Sequence, residues 1–176
     1  MSGQGSPVRA YVGLGSNLLH PRRQIARALA SLRRLPATQL VAASPNYRSA
    51  PVGAPGPQPD YVNAVAALDT RLAPRALLAQ LQRIERRQGR VRTRGTPRNA
   101  ARTLDLDLLL YGGRRMRTRT LTLPHPRMHE RAFVLRPLLD VEPAARIPGR
   151  GLALVRARMP AVRAQRIART HRRALP

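Results

Sequence analysis

The succession of segments along the chain predicts an α+β fold: a ferredoxin-like antiparallel sheet with helices packed on its faces, in a single domain. Three observations carry that expectation. Strand-like and helix-like apolar spacings follow one another in the order β-α-β-β-α-β. The two clearest helical stretches each have a proline near the start, where its missing N–H costs nothing. The 176 residues are enough for one substantial core.

Residues 9–15 (RAYVGLG) alternate and favour β structure, so they read as a first strand ending in a glycine turn. Residues 22–34 place Ile25, Leu29 and Leu32 on one helical stripe behind Pro21. Residues 39–48 read as a second strand, which Pro45 restricts to an edge or a bulge. Residues 50–60 hold four prolines and two glycines, a loop able to act as a mobile lid. YVNAVAALDT (61–70) alternates as a third strand. Residues 74–89 form the clearest helix, with Pro74 at its start, Leu77, Leu78, Leu81 and Ile84 along one stripe, and Gly89 closing it. The basic stretch 90–102 is a second long loop. TLDLDLLLY (103–111) is the fourth strand, ended by Gly112-Gly113, and 114–123 return as a short strand. Residues 129–141 read as a helix interrupted near Pro137. The expected division is a body over 1–155 and a basic tail over 156–176, disordered or loosely helical, whose removal should leave catalysis nearly intact.

Composition narrows the chemistry. There is no cysteine, which excludes disulfides, zinc–thiolate sites and thiol catalysis. No apolar run is long enough for a membrane span. The stretch MSGQGSPVRA lacks the charged and apolar regions of a secretory leader, so the cytoplasm is the expected compartment. The formal charge is +25, from 33 basic and 8 acidic residues, and every basic residue is arginine. That excess suits polyanions, but arginines spread along the whole chain also fit a general compositional bias, so nucleic-acid binding is expected to be at most non-specific. The absence of lysine excludes a P-loop and a protein-kinase site, both of which need one at the phosphates. Nucleotide chemistry here must rest on arginine and metal ions.

The sharpest local signal is Asp105-Leu106-Asp107. On a strand the two carboxylates share a face a few ångströms apart and repel unless cations intervene. Magnesium, which uses one or two carboxylates beside substrate phosphates, is such a cation. The alternative is an exposed strand face solvated by two acids. Arg90, Arg92, Arg94, Arg98 and Arg102 precede the pair and favour a triphosphate–metal site. YVGLGSN (11–17) either presents backbone N–H groups to a phosphate or is an ordinary turn. In PHPRMHERAF (124–133), Pro124 and Pro126 oppose the helix that a His125–His129 zinc pair would need. His125 is then a phosphate donor or a structural histidine, and Phe133 taken alone reads as core.

Together these residues resemble one family. Gly15-Ser16-Asn17, Tyr47-Arg48-Ser49, Pro59-Asp60-Tyr61-Val62-Asn63, Arg83-Ile84-Glu85 with Gly89-Arg90, Arg102-Thr103-Leu104-Asp105-Leu106-Asp107 and Pro124-His125-Pro126 with Arg131 and Phe133 occur in the order found in hydroxymethyldihydropterin pyrophosphokinases. The resemblance covers about residues 9–150. It implies a monomeric ferredoxin-like enzyme that moves the terminal diphosphate of ATP to the hydroxymethyl group of 6-hydroxymethyl-7,8-dihydropterin in folate biosynthesis, releasing AMP. It implies two Mg2+ ions on Asp105 and Asp107. Arg90, Arg92 and Arg102 would clamp the phosphates, Arg90 and Arg92 as catalytic groups, and His125, Gln82 and Glu85 would belong to the ATP side. Tyr61 and Phe133 would sandwich the pterin, Asn63 would bond its edge, and Ser49 and Val52 would complete the pocket. The loops 50–60 and 92–101 would be the family's mobile loops.

The chain departs from the family pattern at Asn99-Ala100-Ala101, where Trp-Gly-Pro is usual, at Pro126, where Tyr is usual, and at Ala50, where Pro is usual. An aromatic lid residue is therefore missing. A rival class is a nucleic-acid module on a ferredoxin-like sheet, which stacks bases on exposed aromatics. One Phe, four Tyr and no Trp argue against it. The discriminating geometry is whether Asp105 and Asp107 face the same cleft as Arg92 and Arg102.

Overall fold

The structure, a computed structural model, describes residues 6–54, 56–90, 95, 97, 99–149 and 155–170. In chain order the elements are β1 (Val8–Ser16), α1 (Pro21–Leu32), β2 (Thr38–Ala43), β3 (Tyr47–Ser49), β4 (Tyr61–Thr70), α2 (Pro74–Arg87), β5 (Asp105–Tyr111), β6 (Met116–Arg117), β7 (Thr122–Leu123), α3 (Ala132–Val141) and β8 (Ile167–Arg169). Short 3-10 segments cover Met128–Glu130 and Val155–Val162. The main sheet runs β5-β1-β4-β3-β8, with β2 also on β4, and every pairing is antiparallel. The β5-β1-β4-β2 frame with α1 and α2 is the expected ferredoxin-like unit. β6 and β7 form a separate hairpin.

Strand alternation divides the core in two. Ala10, Val12 and Leu14 of β1, Ala64, Ala66 and Leu68 of β4, and Leu106 and Leu108 of β5 pack against Ile25, Ala28 and Leu32 of α1 and Leu77, Leu81 and Ile84 of α2. Tyr11, Val65, Ala67, Leu109 and Leu110 face the other way, against Val134, Leu135 and Leu138 of α3. Each fully buried Leu or Ile contributes about 1.5–3 kcal/mol by leaving water. Adjacent Leu109 and Leu110 share a face because the β1–β5 register shifts between Tyr11 and Val12, leaving Leu109 as the extra residue of a bulge. Its carbonyl accepts the backbone N–H of His125 at 2.8 Å. The bulge thus ties the segment after the β6–β7 hairpin to β5, two residues beyond Asp107.

Helix α2 ends in a Schellman turn. Gly89 takes φ +80°, a conformation open to glycine without strain. Its N–H bonds Arg86 O at 3.1 Å, and the N–H of Arg90 bonds Glu85 O at 3.1 Å. The turn folds Arg90 back over the end of its own helix.

Three expectations change. The stretch 39–48 is two strands, β2 and β3, separated at Ser44–Asn46. There the Ser44 N–H donates to Val65 O, the Ser44 Oγ accepts the Val65 N–H in place of a backbone carbonyl, and Pro45 supplies no donor. The interruption expected near Pro137 falls at Arg131, whose backbone is extended, while α3 runs on through a buried Pro137. A proline there removes one hydrogen bond, and the apolar contacts of Leu135 and Leu138 outweigh the loss. The basic tail, expected as disordered or loosely helical, begins in the 3-10 segment Val155–Val162 and continues into a strand, β8, that the sequence did not suggest. Val155 and Val162 are buried against α3, and β8 pairs with β3. Its apolar residues are too sparse for a periodic signal and work only because a groove and a free strand edge await them.

Candidate active site

The cleft opens on the α3 side of the sheet, where α3 stops short of the strand ends. Its floor is set by register: Gly15 lies between Asp105 of β5 and Asn63 of β4, and Gly13 lies opposite Asp107. A Cβ on Gly15 would stand 3.4 Å from Asn63 Oδ1 and 4.0 Å from the Tyr61 ring. The two glycines therefore keep side chains out of the space between the acids and the aromatic wall. The cleft is open at its mouth, with a cavity volume of about 90 Å3.

The two carboxylates differ electrically. Asp105 is held by Arg90 and, at 2.7 Å, by Arg102. Burial penalises its charge, but the two guanidiniums outweigh burial and hold it below the usual carboxylate range. Asp107 is pushed up instead, by burial first and by the charge of Asp105 second. Among the described residues it is faced by the Arg131 guanidinium at 3.8 Å, a loose ion pair, and by His125 Nε2 at 3.9 Å. His125 is itself pushed down to about 4, by burial first and then by Arg131, so it is neutral at neutral pH. Its Nδ1 accepts the Arg127 N–H at 3.2 Å, which places the imidazole proton on Nε2, the atom toward Asp107. The ring is a fixed N–H donor at the edge of the cleft.

The rest is wall. Tyr61 bonds the Ala100 carbonyl at 3.2 Å, and Asn63 donates to Ser49 Oγ at 2.9 Å. Phe133 lines the cleft with the Arg131 guanidinium 5.5 Å from its ring centre. Asn99, where the aromatic is missing, reaches across instead: its Nδ2 donates to Gly53 O at 3.0 Å, and Gln58 donates to Asn99 O at 3.0 Å. Asn17 continues the chain to Gln58 at 3.3 Å and accepts the Arg102 N–H at 2.8 Å. The two proline- and arginine-rich loops are thereby joined by amides.

The model of the family described as 7,8-dihydro-6-hydroxymethylpterin-pyrophosphokinase (HPPK) matches residues 11–143, well over half of the chain. The chain belongs to that family. As a pyrophosphokinase acting on a hydroxymethylpterin, it is similar to the 2-amino-4-hydroxy-6-hydroxymethyldihydropteridine pyrophosphokinase of Pseudomonas aeruginosa, 55% identical over 140 residues, 80% of this chain and 84% of that one. The Haemophilus influenzae protein of the same name is 51% identical over 134 residues, 76% of this chain and 81% of that one. Among solved structures, an HPPK-DHPS in complex with substrates aligns over 89% of this chain and 43% of its own at TM-score 0.69 and 11% identity. A Plasmodium falciparum HPPK-DHPS with pteroate aligns over 90% and 44% at TM-score 0.66 and 11% identity. This chain spans under half the length of those solved chains, and at that identity the likeness speaks for fold alone.

Within this pyrophosphokinase the expected site residues gather unequally. Ser49, Val52, Tyr61, Asn63, Phe133, Arg102, Asp105 and Asp107 line one cleft, and His125 borders it through Asp107. Arg92 lies outside the described residues. Gln82 is half-buried on α2 and is not part of the cleft lining. Glu85, expected on the ATP side, is 2% exposed and is not part of the cleft lining; its carboxylate accepts the Leu106 N–H at 2.8 Å and bonds Arg90. It acts on Arg90 and Asp105 from beneath the strand. Arg127 and Arg131 also line the cleft; Arg131 belongs to the motif order without an assigned role, and Arg127 was not singled out, since nothing in the chain's spacing separates it from the other arginines.

Proposed function

We propose that this pterin pyrophosphokinase binds both substrates in the one cleft and transfers diphosphate from ATP to the hydroxymethyl oxygen of 6-hydroxymethyl-7,8-dihydropterin, releasing AMP. The observation that carries this reading is the Asp105–Asp107 pair, which shares the glycine floor with an aromatic-walled slot. The pterin lies between Tyr61 and Phe133, with Asn63 at its polar edge and Ser49 and Val52 beside it. Aromatic faces suit a flat heterocycle, and a pre-bonded amide suits its donor–acceptor edge. The phosphates lie toward Arg90 and Arg102, which together with Arg92, assigned by the family resemblance, stabilise the charge that develops as the pterin oxygen bonds the β-phosphorus and the bridge to the α-phosphorus breaks. Arg90 is held for this by Glu85 and Asp105, and the Nε2–H of His125 is fixed as a further phosphate donor.

The donor set fits two Mg2+ ions. Asp107 lies beside Asp105 with Arg131 only loosely paired to it at 3.8 Å, and no cluster of three metal-ligating side chains occurs among the described residues, which leaves coordination positions for phosphate oxygens and water. Bound there, the ions would neutralise phosphate charge. What the chain itself supplies is alignment, worth several kcal/mol of barrier when two reactants are held at attack distance. No described helix is long and apolar enough to cross a membrane. We read the enzyme as a cytoplasmic monomer that meets nucleic acid only non-specifically; sedimentation and salt-dependent RNA binding test those parts. The central test is AMP release with ATP, Mg2+ and the pterin alcohol. Release that requires both substrates and the metal is expected; none above an ATP-only control would overturn the reading.

A further inference from the structure

The family match ends at residue 143, yet the chain beyond it closes on both walls of the cleft. One grip is a single side chain. Gln165 Oε1 accepts the Ala132 N–H at 2.8 Å, and its Nε2 donates to Glu130 O at 2.6 Å. These bonds straddle Arg131, the extended residue that breaks the chain between the 3-10 turn and α3, and α3 has no side-chain cap from its own N-cap residue. A remote amide therefore serves the first helical N–H and the last carbonyl before the break together. Arg131 is the cation facing Asp107, and it stacks on Phe133, one residue into the helix beyond Ala132. The other grip is β8, which pairs Ile167 with Ser49, the residue whose hydroxyl accepts from Asn63. Thr170 N–H bonds Asn46 O at 2.8 Å, and Val155 N–H bonds Ala145 O at 2.9 Å, so both ends of the segment are anchored.

We propose that residues 155–170 are a brace across the pterin site, and that Gln165 is a positioning residue acting through Arg131 and Phe133. This rests on the reading that the pterin occupies the slot between Tyr61 and Phe133. Without the amide, Arg131 is free to leave its extended backbone, and the ring and guanidinium that form one wall lose their fixed angle. The effect belongs to the pterin, because Gln165 grips neither Arg90 nor Arg102. It also reverses the expectation that the segment is dispensable: removing the residues after Arg156 takes away β8 and Gln165 together.

The test is Gln165→Met, which keeps length and bulk but neither hydrogen bond, beside Gln165→Glu, which keeps the acceptor toward Ala132. Pterin and non-hydrolysable ATP affinities are measured by calorimetry, and KM and kcat well below the melting temperature. For Gln165→Met we expect pterin Kd and KM to rise about tenfold with ATP-analogue affinity within about twofold of the parent, and for Gln165→Glu a rise about half as large on a logarithmic scale. A methionine variant that melts earlier but binds pterin like the parent has lost only structure, and the inference is wrong. If it does not fold, the glutamate variant decides: parental pterin affinity overturns the proposal. Asn63→Ala is run in parallel. If it too leaves pterin affinity unchanged, the pterin-site reading fails; if it weakens pterin and both Gln165 variants do not, only the brace fails.

Discussion

The two faces of the same three strands are built to opposite rules. Toward α1 and α2, β1, β4 and β5 present an unbroken aliphatic surface from Ala10 to Leu108. Toward α3 the surface divides: Tyr11, Val65, Leu109 and Leu110 are covered, while Gly13, Gly15, Asn63, Asp105 and Asp107 are left open. A helix of ten residues is about 15 Å long and covers only part of strands of nine and ten residues. The difference teaches that the site is made by withholding packing from one end of one face while the opposite face carries stability without a gap. Glu85 is where the two rules meet: a carboxylate of the packed face that bonds Arg90, which in turn holds the cleft's Asp105.

If that division holds, changes on the open face should cost turnover and changes on the covered face should cost stability. The largest effect is expected for Asp107→Ala or Asp105→Ala, with turnover falling on the order of 10^3-fold, about 4 kcal/mol of transition-state stabilisation, and the fold retained by circular dichroism. Near-normal turnover at saturating Mg2+ would remove the acids from the chemistry. Next comes Leu81→Ala, fully buried between α2 and the sheet, which should lose about 3 kcal/mol in denaturant titration while the folded enzyme keeps its kcat. A fall in kcat at full folding would show the two faces to be coupled.

On the open face, Asn63→Ala should weaken pterin binding by about 2 kcal/mol, because it leaves buried donors and acceptors unpaired, and Tyr61→Phe should weaken it less. ATP-analogue affinity should not move in either. Smaller again is a proton effect. Burial and the charge of Asp105 keep Asp107 protonated above the usual carboxylate range, so bound Mg2+ must displace that proton. Mg2+ affinity should therefore rise with pH, by up to about tenfold per unit, and level off above the raised pKa. Calorimetry in buffers of different ionisation enthalpy should register proton release, and release absent in Asp107→Asn assigns it. The smallest effect is expected at the exposed Arg48–Asp60 pair, 2.7 Å apart, where Arg48→Ala should cost under about 1 kcal/mol and nothing at high salt.

Much of this was legible beforehand for physical reasons. The β4 span, Tyr61–Thr70, is the one its alternation predicts, and β5 begins at Asp105, two residues later than expected. Asp105 and Asp107 share a face because the strand period is two. The expected aromatic and amide positions came from the order of motifs, which no periodicity supplies. What stayed hidden depends on contacts far apart in the chain. Gln165 is one glutamine in a basic run until it meets Ala132. Glu85 reads from the motif order as an ATP-side residue, and its bond to the Leu106 N–H shows only once β5 covers it. The Asn99 position lacks the family's aromatic, but its side-chain amide donates to Gly53 O and its backbone carbonyl accepts from the Gln58 amide across the two loops. Arg92 lies outside the described residues, and its part rests on the family resemblance.

The bulge at Leu109 makes the length of β5 matter more to inheritance than its composition. Substitutions among Leu108, Leu109 and Leu110 can exchange one aliphatic for another and keep both faces packed. Losing a single codon there is different. It would remove the extra residue, return the strand to regular alternation, and move the carbonyl that anchors His125 out of register with Asp107. Such a deletion would leave every named side chain of the site in the protein and still separate the imidazole from the acid beside it. Tolerance of short insertions and deletions in related chains should therefore be high in the turn after Tyr111 and near zero in the three leucines before it.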